Sequence, residues 1–127
     1  MKVRKAVILA AGLGTRMLPA TKSVPKELFP IVDKPALQYI VEELVDSGIT
    51  DIMIVLSRGK DLIEEHFDRS PELETRLING KKTKQLEESI HIAQMANIVY
   101  ARQQEINGTG GALQVARSFV EGEPFVV

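Results

Sequence analysis

The sequence predicts an α/β fold: a doubly wound, three-layer α/β/α domain with a mainly parallel sheet. Short apolar runs recur along the chain, amphipathic helical stretches separate them, and most of the joints are short. Uninterrupted apolar runs are typical of parallel strands, because helices cover both faces of such a sheet. Ligands of doubly wound folds bind beyond the carboxyl ends of the strands, so functional residues are expected at that edge.

The first half of the chain predicts one strand–helix–strand unit. A strand is expected at 3–11, and a long ordered loop at 17–35, where four prolines exclude a regular helix. Apolar residues at helical spacing predict a helix over 36–47. A second buried strand is expected at 51–56.

The second half continues the alternation of helices and strands. It is predicted to contain, in order, a short helix at 61–67, a helical stretch at 72–96 with a break at 79–80, a strand at 98–101, a polar glycine-rich loop at 103–111, a core helix at 112–119 and the start of a fourth strand at 125–127.

Composition narrows the class of protein. The chain has 127 residues, enough for one domain with a real core, and its net charge of −1 argues against a general nucleic-acid binder. No apolar run is long enough for a membrane span, and the N-terminus lacks the pattern of a signal peptide. The absence of cysteine fits a reducing compartment, so a cytoplasmic location is expected, with no nucleic-acid or membrane partner.

The stretch 6–30 carries the strongest functional signal. Its apolar run ends in Gly12-Leu13-Gly14, and glycine turns let backbone N–H groups approach a ligand closely. Residues 1–26 hold six Lys or Arg and no acid, whereas all seventeen acidic residues follow. This segment is therefore predicted to face an anion, most simply a phosphate chain. A dinucleotide fingerprint is excluded by Met17, and no P-loop pattern occurs.

Two motifs resemble a known family. The string AGLGTRMLP at 11–19 and the string PKELFPIVDKP at 25–35 are similar to the signature of the sugar-phosphate nucleotidyltransferases. The longer string at 20–43 resembles the bacterial UTP–glucose-1-phosphate uridylyltransferases within that family. Thymidylyl-transferring members tend to carry Ser-Lys-Gln where this chain has Pro25-Lys26-Glu27.

The resemblance implies a Rossmann-like nucleotidyltransferase fold and transfer of UMP from UTP to glucose 1-phosphate, with Mg²⁺. It implies that 1–127 is the nucleotide-binding N-terminal part of the domain, with the last strand cut at Val127 and the metal ligand beyond it. The part alone is then expected to be inactive, and the parent enzyme to be a homo-oligomer. Two alternatives stay open: an enzyme that uses dTTP or another NTP, and a non-catalytic nucleotide-binding module.

The resemblance also implies roles for particular residues. The expected catalytic residues are Arg16 and Lys26, and no metal ligand is expected in this chain. The expected nucleotide-binding residues are Ala11, Gly12, Gly14, Thr15, Glu27, Gln103, Gly108 and Gly110. The sequence departs from the family at Thr109-Gly110-Gly111, where members often have Leu-Gly-His.

Structural interpretations compete with these roles. A Gly-x-Gly turn after a strand is more often structural than functional, and only the positive flank favours phosphate binding here. His66 and His91 are expected to be ordinary surface or half-buried histidines. The basic cluster at 81–84 is expected to be a solvated loop or helix start.

Overall fold

The computed structural model describes residues 2–12, 15–57, 60–103 and 108–127; for residues 15, 108–110 and 112 it describes the backbone alone. The helices and strands, in chain order, are β1 (Lys5–Leu9), β2 (Pro30–Ile31), β3 (Lys34–Pro35), α1 (Ala36–Asp46), β4 (Asp51–Leu56), α2 (Asp61–Phe67), α3 (Pro71–Asn79), α4 (Thr83–Gln94), β5 (Asn97–Arg102), α5 (Gly108–Val115), α6 (Arg117–Val120) and β6 (Phe125–Val126).

Four parallel strands form the central sheet, in the order β5-β4-β1-β6. β1 pairs with β4 from Lys5↔Asp51 to Leu9↔Val55, and β4 pairs with β5 along its length. β6 pairs with the first two residues of β1. The predicted parallel, doubly wound sheet is therefore confirmed.

Helices cover both faces of this sheet. One face packs under α1, α2 and α4, and its buried core includes Ala6, Leu37, Val41, Ile52, Ile54 and Ile63. The other face packs under α5 and α6, and its smaller core contains Val7, Met53, Val55 and Ala116. Alternate residues of β1 and β4 thus enter different cores, as the two-residue period of a strand requires. Among the described helices, none is long and apolar enough to cross a membrane.

Helix α1 follows directly from its sequence pattern. Pro35 stands immediately before it, and Leu37 and Val41 bury its apolar face. The chain leaves the helix through Gly48, whose φ of +96° lies in a region that side chains rarely adopt. The observed end, Asp46, is one residue before the predicted one.

Two predictions in the first half need correction. The first strand is five residues long, because an apolar run records burial, whereas a strand also needs a paired neighbour. The segment 17–35 is not purely a loop: a 3₁₀ turn, Thr15–Met17, ends at its first residue, two more lie at Ala20–Lys22 and Lys26–Leu28, and β2 and β3 form an antiparallel pair. Strands of two residues are too short to show an alternating pattern.

The segment after β5 also differs from the prediction. Residues 108–111 were expected in a loop, but they form the first turn of α5. Glycine lowers helix propensity, so a local pattern underestimates a helix that begins with it. The single core helix expected at 112–119 is divided in two at Ala116, which is buried and whose N–H bonds the Leu113 carbonyl three residues back.

Candidate functional site

The carboxyl edge of the sheet gathers the ends of three neighbouring strands. Ala11 and Gly12 follow β1, Ser57 follows β4, and Gln103 follows β5. Their strands are parallel and in register, with Leu9 beside Val55 and Val55 beside Ala101. The structure therefore brings the predicted residues Ala11, Gly12 and Gln103 to one edge.

Gly12 lies exposed at the start of the glycine turn. A Cβ added to Gly12 would meet no atom of the described structure within 4 Å. Ala11 before it is buried, and its carbonyl accepts a 2.6 Å hydrogen bond from Ser57 Oγ. Packing inside the described chain thus gives no reason for a glycine at 12, whereas close approach of a ligand would. Gly14 lies outside the described residues.

Arg16 and Lys26 supply the positive charge of this region. Arg16 lies in the 3₁₀ turn that begins at Thr15, and Lys26 begins the turn that ends at Leu28. Both side chains are exposed, and neither makes an ion pair with a described acidic residue. Arginine offers a planar fork and lysine a point charge, the two standard donors for phosphate oxygens.

Glu27 is held by a residue that the sequence pattern did not single out. Lys60 Nζ lies 2.8 Å from Glu27 Oε1, and the two side chains are 7% and 13% exposed. Glu27 was expected near the base from the resemblance. The structure adds that its carboxylate is half of a largely buried ion pair facing the connection between β4 and α2.

Gln103 is buried, and the second glycine segment differs in form from the loop that was expected. Gln103 is 5% exposed, and its backbone N–H donates to the Leu56 carbonyl over 2.7 Å. Gly108 and Gly110 belong to the first turn of α5 rather than to a loop. Residues 104–107, which join Gln103 to that helix, lie outside the described part of the chain.

Ser57 and Lys60 were missed by sequence analysis. One signal could have found them: both follow a buried strand, β4, at the edge where ligands of this fold class bind. The same rule had marked the glycine segments after β1 and β5.

The two histidines line a different part of the molecule from the residues that follow β1, β4 and β5. His66 is half-buried, with Nε2 2.8 Å from Gln38 Oε1, and burial lowers its pKa below the usual 6.5. His66 and His91 both line a cleft of about 230 Å³ between α1, α2 and α4. Among the described residues, no three His, Asp or Glu side chains form a group that could hold a metal ion.

Comparison with known proteins then decides the family. A family model described as "Nucleotidyl transferase" matches residues 5–127. The chain belongs to this nucleotidyl transferase family. It is 60% identical over 126 residues to the UTP–glucose-1-phosphate uridylyltransferase YngB of Bacillus subtilis, covering 99% of this chain and 42% of that protein. A second UTP–glucose-1-phosphate uridylyltransferase of Bacillus subtilis is 56% identical, with 99% and 43% covered.

Solved structures of the family agree with the fold. A UTP-bound UGPase from Acinetobacter baumannii superposes with a TM-score of 0.94 at 43% identity, covering 98% of this chain and 44% of that one. A UDP-glucose pyrophosphorylase complexed with UDP-glucose gives a TM-score of 0.81 at 37% identity, with the same coverage. This nucleotidyl transferase chain therefore spans less than half the length of the relatives that it matches.

Nucleotidyltransferases of this kind generally use a divalent metal. The described residues do not form such a site by themselves, since no three metal-ligating side chains converge among them. The groups of this chain that suit a phosphate ligand are therefore its glycine turn and its exposed cations.

Proposed function

We propose that residues 1–127 form the nucleotide-binding N-terminal part of an enzyme that transfers UMP from UTP to glucose 1-phosphate, giving UDP-glucose and pyrophosphate. One observation carries the proposal: two exposed cations, Arg16 and Lys26, follow the glycine turn in the chain and make no ion pair with a described acidic residue. The names of the relatives, two of them UTP–glucose-1-phosphate uridylyltransferases, supply the substrates.

The reaction suits a site without a protein nucleophile. A phosphate oxygen of glucose 1-phosphate is already anionic at neutral pH, so it attacks the α-phosphorus of UTP directly. The bond from that phosphorus to the bridging oxygen breaks, and pyrophosphate leaves with the electron pair. Positioning and charge stabilisation are then the main tasks of the protein. In this proposal Arg16, Lys26 and the backbone of the turn 12–15, including Gly14 and Thr15, perform them.

The same proposal gives roles to the residues expected around the uracil and the ribose of UTP. Ala11, Glu27 and Gln103 would lie around the uracil and its ribose, and Gly108 and Gly110 would close the nucleoside from the start of α5. The amide of Gln103 offers both a donor and an acceptor, as the edge of uracil requires.

Three further features belong to the proposal rather than to the described structure. Mg²⁺ is the proposed metal, with its ligands outside the described residues. The absence of cysteine among the 127 residues supports a cytoplasmic location. A homo-oligomeric parent enzyme is expected from the resemblance alone.

Nucleotide binding by the chain itself tests the proposal. Titration of the chain with UTP and with dTTP should show a preference for UTP of about tenfold or more, equivalent to roughly 1.4 kcal/mol. Equal or tighter binding of dTTP would favour a thymidylyl-transferring enzyme. Absence of binding to any nucleoside triphosphate would contradict the nucleotide site.

A hybrid protein tests the catalytic part. It joins residues 1–127 to the remaining residues of the 60% identical Bacillus subtilis relative, which supplies the length that this chain does not span. The hybrid should form UDP-glucose and pyrophosphate from UTP and glucose 1-phosphate. UTP binding without turnover in a folded hybrid would favour the non-catalytic module.

A further inference from the structure

Two residues between β4 and α2 contact two parts of the candidate nucleotide site, the glycine turn and the Lys26–Leu28 turn. Ser57 is 3% exposed, and its Oγ donates to the carbonyl of Ala11 at the start of the glycine turn. Lys60 Nζ donates to Glu27 Oε1 in the Lys26–Leu28 turn. One contact therefore fixes the end of β1, and the other fixes the lysine-bearing turn.

The Lys60 end of this contact is joined to a helix that packs into the core. Lys60 immediately precedes α2, and its carbonyl accepts a 3.0 Å hydrogen bond from the N–H of Ile63. Ile63 and Phe67 bury that helix in the core under α1. The ammonium group thus projects from a backbone that the core holds in place.

The Glu27 end belongs to a short turn that carries Lys26. The N–H of Leu28 bonds the Pro25 carbonyl over 3.0 Å, and the N–H of Phe29 bonds the Lys26 carbonyl over 3.1 Å. Leu28 packs against the same core as α2. Because Glu27 is the residue between Lys26 and Leu28, holding its carboxylate also limits where Lys26 can lie.

Charge gives the contact a second effect. A carboxylate without a partner would attract the neighbouring Lys26 ammonium and compete with phosphate oxygens for it. A buried charge whose partner is removed is also strongly disfavoured, so the turn would move to expose it. Lys60 removes both problems, since its own charge compensates that of Glu27.

We propose that Lys60 is a positioning residue of the nucleotide site, which acts through Glu27 to hold the Lys26–Leu28 turn and to leave Lys26 available to the nucleotide. This inference rests on the proposed function only in the identity of the ligand, UTP. Lys60 is not a catalytic residue, because it acts on the nucleotide only through another side chain.

Titration of the chain with UTP tests the inference, first on three single variants. Lys60→Met, which keeps the apolar stem and removes the charge, should weaken UTP binding about tenfold. Lys60→Arg should stay within about threefold of the unmodified chain, because it restores the pair. Lys84→Met, at an exposed lysine of α4, is the matched control and should change nothing.

The double variant Glu27→Gln/Lys60→Met separates positioning from direct contact. If Lys60 acts through Glu27, the double variant binds UTP as Glu27→Gln alone does, within about twofold. Losses that multiply would show an independent role for Lys60 and overturn the inference. So would Lys60→Met binding UTP as tightly as the unmodified chain. If Lys60→Met alone fails to fold, the double variant still provides the comparison, since it leaves no unpaired charge.

Hydrogen exchange of the chain without nucleotide gives a readout that does not depend on UTP. The amides of Leu28 and Phe29 should lose protection in Lys60→Met and keep it in Lys60→Arg and Lys84→Met. Unchanged protection in Lys60→Met would overturn the anchoring whatever the nucleotide result. If the unmodified chain binds no UTP, the proposed function fails, while this exchange experiment still tests the anchor.

Discussion

At the amino edge of the central sheet Arg4 and Lys5 both pair with Glu123, whereas at the carboxyl edge Arg16 and Lys26 pair with no described acidic residue. Arg4 Nη2 lies 3.0 Å from Glu123 Oε1, and Lys5 Nζ lies 2.7 Å from Glu123 Oε2. The Lys5 ammonium also donates to the Phe119 carbonyl over 2.7 Å. The cations at the start of β1 thus hold two segments beside that strand: the end of α6, through Phe119, and the residues before β6, through Glu123.

Shifts in pKa follow this division. The hydrogen bond from Lys5, and then that from Arg4, lower the pKa of Glu123 below its usual 4.5. The Asn97 amide is the main cause of the lowered pKa of Asp51 at the start of β4. These charges stabilise the fold because protein groups satisfy them. The exposed cations Arg16 and Lys26 make no ion pair with a described acidic residue, and they are the ones proposed to bind the nucleotide.

The largest effect is expected from removing the Arg16 side chain at the carboxyl edge. Arg16→Ala should weaken UTP binding by the chain about 10- to 100-fold, the value of one or two charge-assisted hydrogen bonds. In the hybrid protein the rate should fall by roughly two to three powers of ten. The melting temperature should stay unchanged, because no described acidic residue loses a partner.

Lys5→Met is the matched change at the amino edge. It removes a charged hydrogen bond worth about 1.5 kcal/mol and should lower the melting temperature by roughly 6 °C. UTP affinity, measured well below that temperature, should not change. The opposite pattern, with Arg16→Ala destabilising and Lys5→Met weakening UTP binding, would contradict the division between the edges.

A smaller effect is expected at Gly12. In Gly12→Ala the added methyl group meets no described atom within 4 Å, so the free energy of unfolding should stay the same or rise slightly. UTP binding should weaken about tenfold, because the methyl group would separate the phosphates from the backbone N–H groups. Loss of stability with unchanged UTP affinity would favour the purely structural turn.

The smallest effect is a pH dependence at the amino edge. The pKa of Glu123 is lower in the folded chain than in the unfolded one, so its pairing stabilises the fold above pH 4.5. That stabilisation is lost as the pH falls below 4.5 and through the lowered pKa. Glu123→Gln should therefore melt below the unmodified chain at neutral pH, with a gap that closes on acidification. A gap that stays constant or widens in acid would show that ion pairing is not its cause.

Much of the fold follows from local pattern. The four strands of the central sheet were predictable from short apolar runs, and the helices α1 and α2 from apolar residues at helical spacing; α2 has the predicted bounds, 61–67. The parallel sheet followed in turn, because a strand–helix–strand crossover returns the chain in the same direction. Local pattern also marked residues 11–16 and Lys26, since glycine and a run of cations without acids are visible in any short window.

Tertiary structure alone decided how these residues are held. Glu27 and Lys60 are 33 positions apart, and Ala11 and Ser57 are 46 apart, so no window of sequence joins them. The same limit hid the pairing of Arg4 and Lys5 with Glu123. Sequence thus determined which cations the chain carries, and the packing of distant segments decided which of them are neutralised. The physical reason is that an ion pair depends on distance in space, whereas periodicity records only which face of an element is buried.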